Sequence, residues 1–292
     1  MKSTIVVKSS NRKINLYHNQ IEGAIANVII VHGASEYIDR YNKISSYLND
    51  NMINTFGYNQ ISHGEYIDNN RKNIFFSEEN ADKLLVKNLE DIVKKVTNIN
   101  SLPIYIIGHS MGSLVARAFA INNNYQVKGI VLSGTLNPPI ITINSGLRFA
   151  KIITKINGKK NVSKLLNNLA FGNIAQRLSY NKKNINVYLK DSKCGAKFSN
   201  QAIIDLLALT KYVCNYKNIK NMLKTNYLVI SGDNDKFSNN SKQLTSLIKI
   251  MKKSEHNVDY MIFKKMKHEI FNEDEYLKVF VTIKEFIDKS IR

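Results

Sequence analysis

The chain has 292 residues, and 42 Lys and Arg against 23 Asp and Glu give it a formal net charge of +19. A hydrophobic content of 43% is too high for a disordered chain and sufficient at this length for a large core. No apolar run approaches the roughly 18 residues of a membrane span. The first twenty residues lack the apolar stretch of a signal peptide, and two cysteines, Cys194 and Cys214, make no disulfide framework, so the expected compartment is the cytoplasm.

Residues 4–9 and 13–17 alternate polar and apolar around Ser10-Asn11-Arg12, the pattern of an N-terminal hairpin. Val28–Val31 and Asn54–Tyr58 are short apolar runs that suit strands buried on both faces. Leu85, Leu89, Ile92 and Val96 then mark one face of a helix opening after Ser77. The run Ile104–Ile107 precedes a second helical face at Leu114, Ala118 and Ile121, and Gly129–Leu132 reads as the next strand. Residues 137–220 break the alternation and read as helices and loops inserted between two strands. Strands resume at Tyr227–Ile230 and Val258–Phe263, with helical faces at Leu244, Leu247, Ile248 and Met251 and, near the C-terminus, at Tyr276, Val279, Phe280, Ile283 and Ile287. The expected class is α/β, a mostly parallel twisted sheet flanked by helices. Residues 1–136 and 221–292 would form the core and 137–220 a helical cap.

The charge is uneven. Residues 137–220 hold 15 Lys and Arg against two acids, Asp191 and Asp205, a net of +13, and the rest of the chain carries only +6. An AT-rich coding bias would spread lysine evenly, so this excess points to an anionic surface. Within Gly146–Lys160, Phe149, Ile152, Ile153 and Ile156 form an apolar stripe beside a basic one of Arg148, Lys151, Lys155 and Lys159. Two readings follow: a lid helix packing its apolar stripe on the core, or a helix lying on anionic lipid. Peripheral contact with the inner face of the membrane through residues 137–220 is the partner expectation. Nucleic acid is not expected, because no aromatic stripe interleaves with arginine. No Cys/His cluster has metal-ligand spacing and no Gly-rich phosphate loop appears, so neither metal nor cofactor is expected. Cys194 and Cys214 read as small buried hydrophobes.

The strongest chemical signal is Gly108-His109-Ser110-Met111-Gly112, set between a strand and a helix. A Gly-x-Ser-x-Gly elbow holds serine in a sharp turn where its hydroxyl is exposed. A serine hydroxyl needs a base, and the base an orienting acid. Asp233 and Asp235 follow the strand Tyr227–Ile230, and Asp235 is preferred because the turn at Gly232 directs the later residue inward. Asp233 reads as a turn former. His268 follows the strand Val258–Phe263 and is the preferred base. His18 and His256 lie in polar stretches and are expected to be solvated, while His32, His63 and His109 precede the acid in the chain. The N–H of Met111, with one from the loop His32-Gly33-Ala34, would stabilise an oxyanion.

These motifs together resemble the monoacylglycerol lipase and lysophospholipase branch of the α/β-hydrolase fold, also called serine-aminopeptidase-like hydrolases. Val31-His32-Gly33-Ala34-Ser35-Glu36-Tyr37-Ile38-Asp39-Arg40-Tyr41 is similar to its oxyanion loop, which places Ala34 as donor. Gly232-Asp233-Asn234-Asp235 resembles its acid loop, in which the second aspartate belongs to the triad, and Lys267-His268-Glu269-Ile270-Phe271-Asn272-Glu273 its histidine loop. Glu36 and Arg40 would pair and brace the oxyanion loop, although a solvated pair fits the sequence equally well. The loop Asn59–Tyr66 departs from the family pattern and reads as structural. The resemblance implies a serine hydrolase that cleaves monoacylglycerol or lysophospholipid without a cofactor. A short-chain carboxylesterase or aminoacyl-peptidase on the same triad is the alternative, and a non-catalytic protein binding through the basic cap a remote one.

Overall fold

Strands β1 (Ser3–Ser9), β2 (Arg12–Asn19), β3 (Ala26–Val31) and β4 (Ile53–Tyr58) open the chain, with helix α1 (Asn42–Asp50) between β3 and β4. The computed structural model describes residues 3–9, 12–67, 73–78, 80–122 and 125–291, so Ser10 and Asn11 of the expected hairpin turn lie outside the described residues. A two-residue strand β5 (Asn73–Ile74) precedes helix α2 (Ala81–Thr97), strand β6 (Ile104–His109), helix α3 (Met111–Asn122) and strand β7 (Gly129–Ser133). Helices α4 (Ile140–Asn157), α5 (Lys164–Phe171), α6 (Ile174–Leu178) and α7 (Lys182–Lys190) follow, then β8 (Lys197–Phe198), α8 (Asn200–Cys214) and α9 (Tyr216–Lys220). Strand β9 (Asn226–Gly232), α10 (Lys242–Lys253), β10 (Asn257–Phe263) and α11 (Tyr276–Ile291) complete the chain.

The main sheet runs β1-β2-β4-β3-β6-β7-β9-β10, and β5 pairs with β8 apart from it. Strands β1, β2 and β4 pair antiparallel, and all pairings from β4 to β10 are parallel. Every residue of β3, β4, β6 and β7 is buried, which explains their largely apolar runs. The chain goes from β3 outward to β4 and returns to β6 on the other side of β3. The loops leaving β3 and β6 therefore diverge at adjacent strand ends, where Val31 pairs with Gly108, the crevice in which such sheets place their sites. Helix α3 is buried nearly all round, between the sheet and the helices α2 and α8.

Three expectations are corrected. His256 is buried rather than solvated: its Nε2 bonds the Ile219 carbonyl at 2.8 Å and its ring stands edge-on to Tyr227. The helix that precedes it and α9 close over it, which its polar neighbours in sequence conceal. Helix α4 turns Ile143, Ala150 and Thr154 inward and packs on α8, with Gly146 facing Leu207. Small residues at Gly146 and Ala150 let the two helices approach. Of the expected stripe, Ile153 is partly buried against the core, while Phe149, Ile152 and Ile156 are left outside, with Ile152 58% and Ile156 74% exposed. Cys214 is buried, while Cys194 is only half-buried. No helix among the described residues is long and apolar enough to cross a membrane.

Candidate active site

Ser110 sits between β6 and α3 with φ +50°, in the left-handed region that non-glycine residues rarely adopt. Its N–H donates to the Ser133 carbonyl at 2.9 Å, and its own carbonyl accepts from the Ser113 hydroxyl and N–H. The flanking glycines make the turn sterically feasible. A Cβ on Gly112 would lie 2.0 Å from the Val31 carbonyl oxygen, and one on Gly108 2.5 Å from the Gly112 oxygen. The elbow thus lies directly on the end of β3.

Asp235 and His268 meet across the ends of β9 and β10. The His268 Nδ1–H donates to Asp235 Oδ2 at 2.9 Å, and Ser231 Oγ donates to the same oxygen at 3.1 Å. The N–H groups of Phe237 and Ser238 point at Asp235 Oδ1, at 2.9 and 3.4 Å. Asp235 is fully buried; burial pushes its carboxyl up, but His268 and these donors hold it below the usual range. His268 is buried too, which lowers its basicity, yet Asp235, with Glu269 and Glu36, raises it above the ordinary 6.5. Asp233, by contrast, is half-buried and accepts from the Asn234 side chain. Ser110 and His268 line one cavity.

The loop His32-Gly33-Ala34, expected to hold an oxyanion, is fastened from several sides. His32 donates from Nδ1 to the Gly33 carbonyl at 2.7 Å and accepts the Gln60 N–H at Nε2 at 2.9 Å. His63 donates from Nδ1 to the Ile61 carbonyl and accepts the Ser35 N–H at 3.1 Å. Burial lowers His32 to about 4 and His63 to about 3, so both are neutral and suited to this mixed donor and acceptor role. His109 lies 4.8 Å from the His268 ring and bonds Ser133 Oγ; burial first, then His268, holds it well below 6.5. Glu36 accepts from the Gly33 N–H at 2.6 Å and from Tyr41 Oη at 2.7 Å. Arg40 bridges Glu36 at 3.2 Å and Glu269 at 2.5 Å, both pairs buried rather than solvated. Burial works against the Arg40 charge, and the two carboxylates more than restore it.

Ala34, Met111, Ser110 and His268 face a cavity of about 70 Å³ roofed by Ala170, Phe171, Ile174, Leu178 and Leu206 of the inserted helices. Sequence reasoning missed these roof residues, the bonds of His63 and Gln60 to the oxyanion loop, and Ser231 beside the acid. His63 and Gln60 lie in the loop read as structural, with no local signal of their partners. A hydroxyl directly before Gly232-Asp233-Asn234-Asp235 was the one cue to Ser231.

A strand-to-helix serine elbow at the switch point of a mostly parallel sheet, with Asp and His on the two following strand ends, is the α/β-hydrolase fold, and its class is the serine carboxylic-ester hydrolases. The family model described as serine aminopeptidase, S33 matches residues 23–275, and the chain belongs to that family. It is 22% identical over 259 residues to a monoglyceride lipase homolog of Monkeypox virus, covering 86% of this chain and 84% of that one. To phospholipase YtpA of Bacillus subtilis it is 26% identical over 274 residues, covering 91% and 96%. A thermostable carboxyl esterase from Bacillus coagulans, solved in complex with glycerol, has the same fold at a TM-score of 0.89 and 17% identity over 99% of both chains.

Proposed function

We propose that the protein hydrolyses carboxylic esters of single-chain lipids, monoacylglycerol or lysophospholipid, through an acyl-enzyme on Ser110. The buried Asp235–His268 pair beside the left-handed Ser110, under an apolar roof, carries this reading. Asp235 holds the proton of His268 on Nδ1, leaving Nε2 to take the Ser110 proton as Oγ attacks the ester carbonyl. The N–H groups of Ala34 and Met111 stabilise the oxyanion, the latter helped by the N-terminus of α3. Protonated His268 then gives its proton to the departing alcohol. A water deprotonated by His268 releases the fatty acid and restores Ser110. The monoglyceride lipase and phospholipase relatives support a lipid substrate.

The outer face of the cap supports contact with an anionic membrane. Phe149, Ile152 and Ile156 on α4, and Leu165 and Leu169 on α5, are exposed in the segment that carries the charge excess. Apolar side chains set among lysines match the requirements of a lipid interface, each cation contributing about 1 kcal/mol.

A cavity of about 70 Å³ falls far short of the ~300 Å³ at which ligand pockets begin, so a long acyl chain enters only when the roof shifts. The same small volume favours a second reading, hydrolysis of short-chain esters with the cap in place. Fatty-acid release from monoacylglycerol and lysophospholipid series, native beside Ser110→Ala, separates the two. Release across C8 to C18 that vanishes in the variant is expected. Activity on C2 to C4 alone selects the second reading, and release unchanged by the substitution overturns both.

A further inference from the structure

Glu273 is 2% exposed, yet its partners are neutral groups drawn from two distant parts of the chain. From the cap, the Ser179 hydroxyl donates to Oε2 at 2.7 Å, the Tyr180 N–H reaches both oxygens at 2.9 and 3.1 Å, and the Asn181 N–H reaches Oε2 at 3.3 Å. From the histidine loop, the Lys267 N–H donates to Oε1 at 2.8 Å. Lys267 directly precedes His268. On the other side of His268, the Glu269 N–H donates to the Leu178 carbonyl at 2.7 Å. Lys267 also sends its ammonium to the Gln176 carbonyl at 2.7 Å and over the Tyr180 ring. Both backbone neighbours of His268 are therefore bonded to the junction of α6 and α7, one directly and one through Glu273.

We propose that Glu273 is a positioning residue that locks the α6–α7 junction to the histidine loop and so keeps the His268 imidazole in register with Ser110. A buried carboxylate holds its place only while its donors surround it, and charge-assisted bonds to four groups make this a firm tie between cap and base. The junction cannot lift without freeing the backbone on both sides of His268. Opening of the roof is thereby directed to the stretch between Asn167, which is bonded to Phe198 in both directions, and Leu178. Phe171 and Ile174, which cover Ser110, lie in that stretch.

The inference rests on the hydrolase reading, and its test has a readout independent of turnover. With a soluble short-chain p-nitrophenyl ester, Glu273→Gln, which keeps one oxygen, is expected to lose about 10-fold in kcat, and Glu273→Ala about 100-fold. KM should change less than about threefold, because the ester's own contacts are untouched. In proton NMR the Nδ1–H resonance of His268 should broaden or move upfield in both variants as the bond to Asp235 loosens. Ser179→Ala, which removes one donor on the cap side alone, should shift kcat and the resonance in the same direction by less. If Glu273→Ala fails to fold, the Gln and Ser179 variants decide. Folded Glu273→Gln and Ser179→Ala proteins with native kcat and an unmoved His268 resonance would overturn the proposal, even if their melting temperatures fall. A native enzyme that cleaves no ester but whose His268 resonance responds to Glu273→Gln would count against the hydrolase reading and leave the tie standing.

Discussion

Replacing Asp235 by Asn tests the acid at the level of single atoms. Two backbone N–H groups, of Phe237 and Ser238, face Oδ1 and cannot turn away, so the amide of Asn must keep its oxygen there. Its NH2 then occupies the place of Oδ2, 2.9 Å from His268 Nδ1 and 3.1 Å from Ser231 Oγ. The Ser231 hydroxyl can rotate to accept, but the imidazole must present a lone pair at Nδ1 and move its proton to Nε2. A proton on Nε2 blocks transfer from Ser110. In a triad of this geometry the wrong tautomer costs about 10⁴ in kcat, or about 5 kcal/mol of barrier. The assay is kcat on a soluble p-nitrophenyl ester, with circular dichroism to confirm the fold and Asp233→Asn as the paired control. An Asp235→Asn enzyme within tenfold of native, or an equal loss in Asp233→Asn, would refute the assignment.

Activity should rise with pH through a limb centred above 6.5, because in the proposed mechanism His268 acts as a base only after losing the proton that Asp235 helps it to hold. Asp235, held below the usual carboxylate range, stays ionised throughout that limb, and a kcat/KM profile with its midpoint below 6 would contradict this. Gly112→Ala should destabilise the fold by about 3 kcal/mol in urea titrations, since its Cβ would meet backbone atoms 2.0 and 2.6 Å away that cannot rotate aside.

The core architecture was legible because its signals are local. Fully buried strands require largely apolar runs, and the helices between them require a 3.6-residue period, so the main-sheet strands β3, β4, β6, β7 and β9 could be read without any contact map, whereas the two-residue strands β5 and β8 could not. The face on which α4 packs was not legible, because a helix with several apolar stripes presents whichever one its neighbour accommodates. Here α8 takes the small residues Gly146 and Ala150, and the more apolar Phe149, Ile152 and Ile156 face outward. His256 was misread for a related reason: polarity of the surrounding sequence says little about which elements close over a side chain.

The sequence by itself determined the elbow at Ser110, the order of the acid and histidine loops, and the basic insertion, since each is written in consecutive residues whose covalent spacing imposes the local backbone. The tertiary structure alone decided which groups meet across long separations. It brought Asp235, which the sequence had favoured over Asp233, within hydrogen-bond distance of His268, ran Arg40 between Glu36 and Glu269, and wrapped the cap's N–H groups around Glu273. Those contacts join residues up to 229 positions apart, and their geometry comes from the twist and stacking of sheet and helices, which no short stretch of chain encodes.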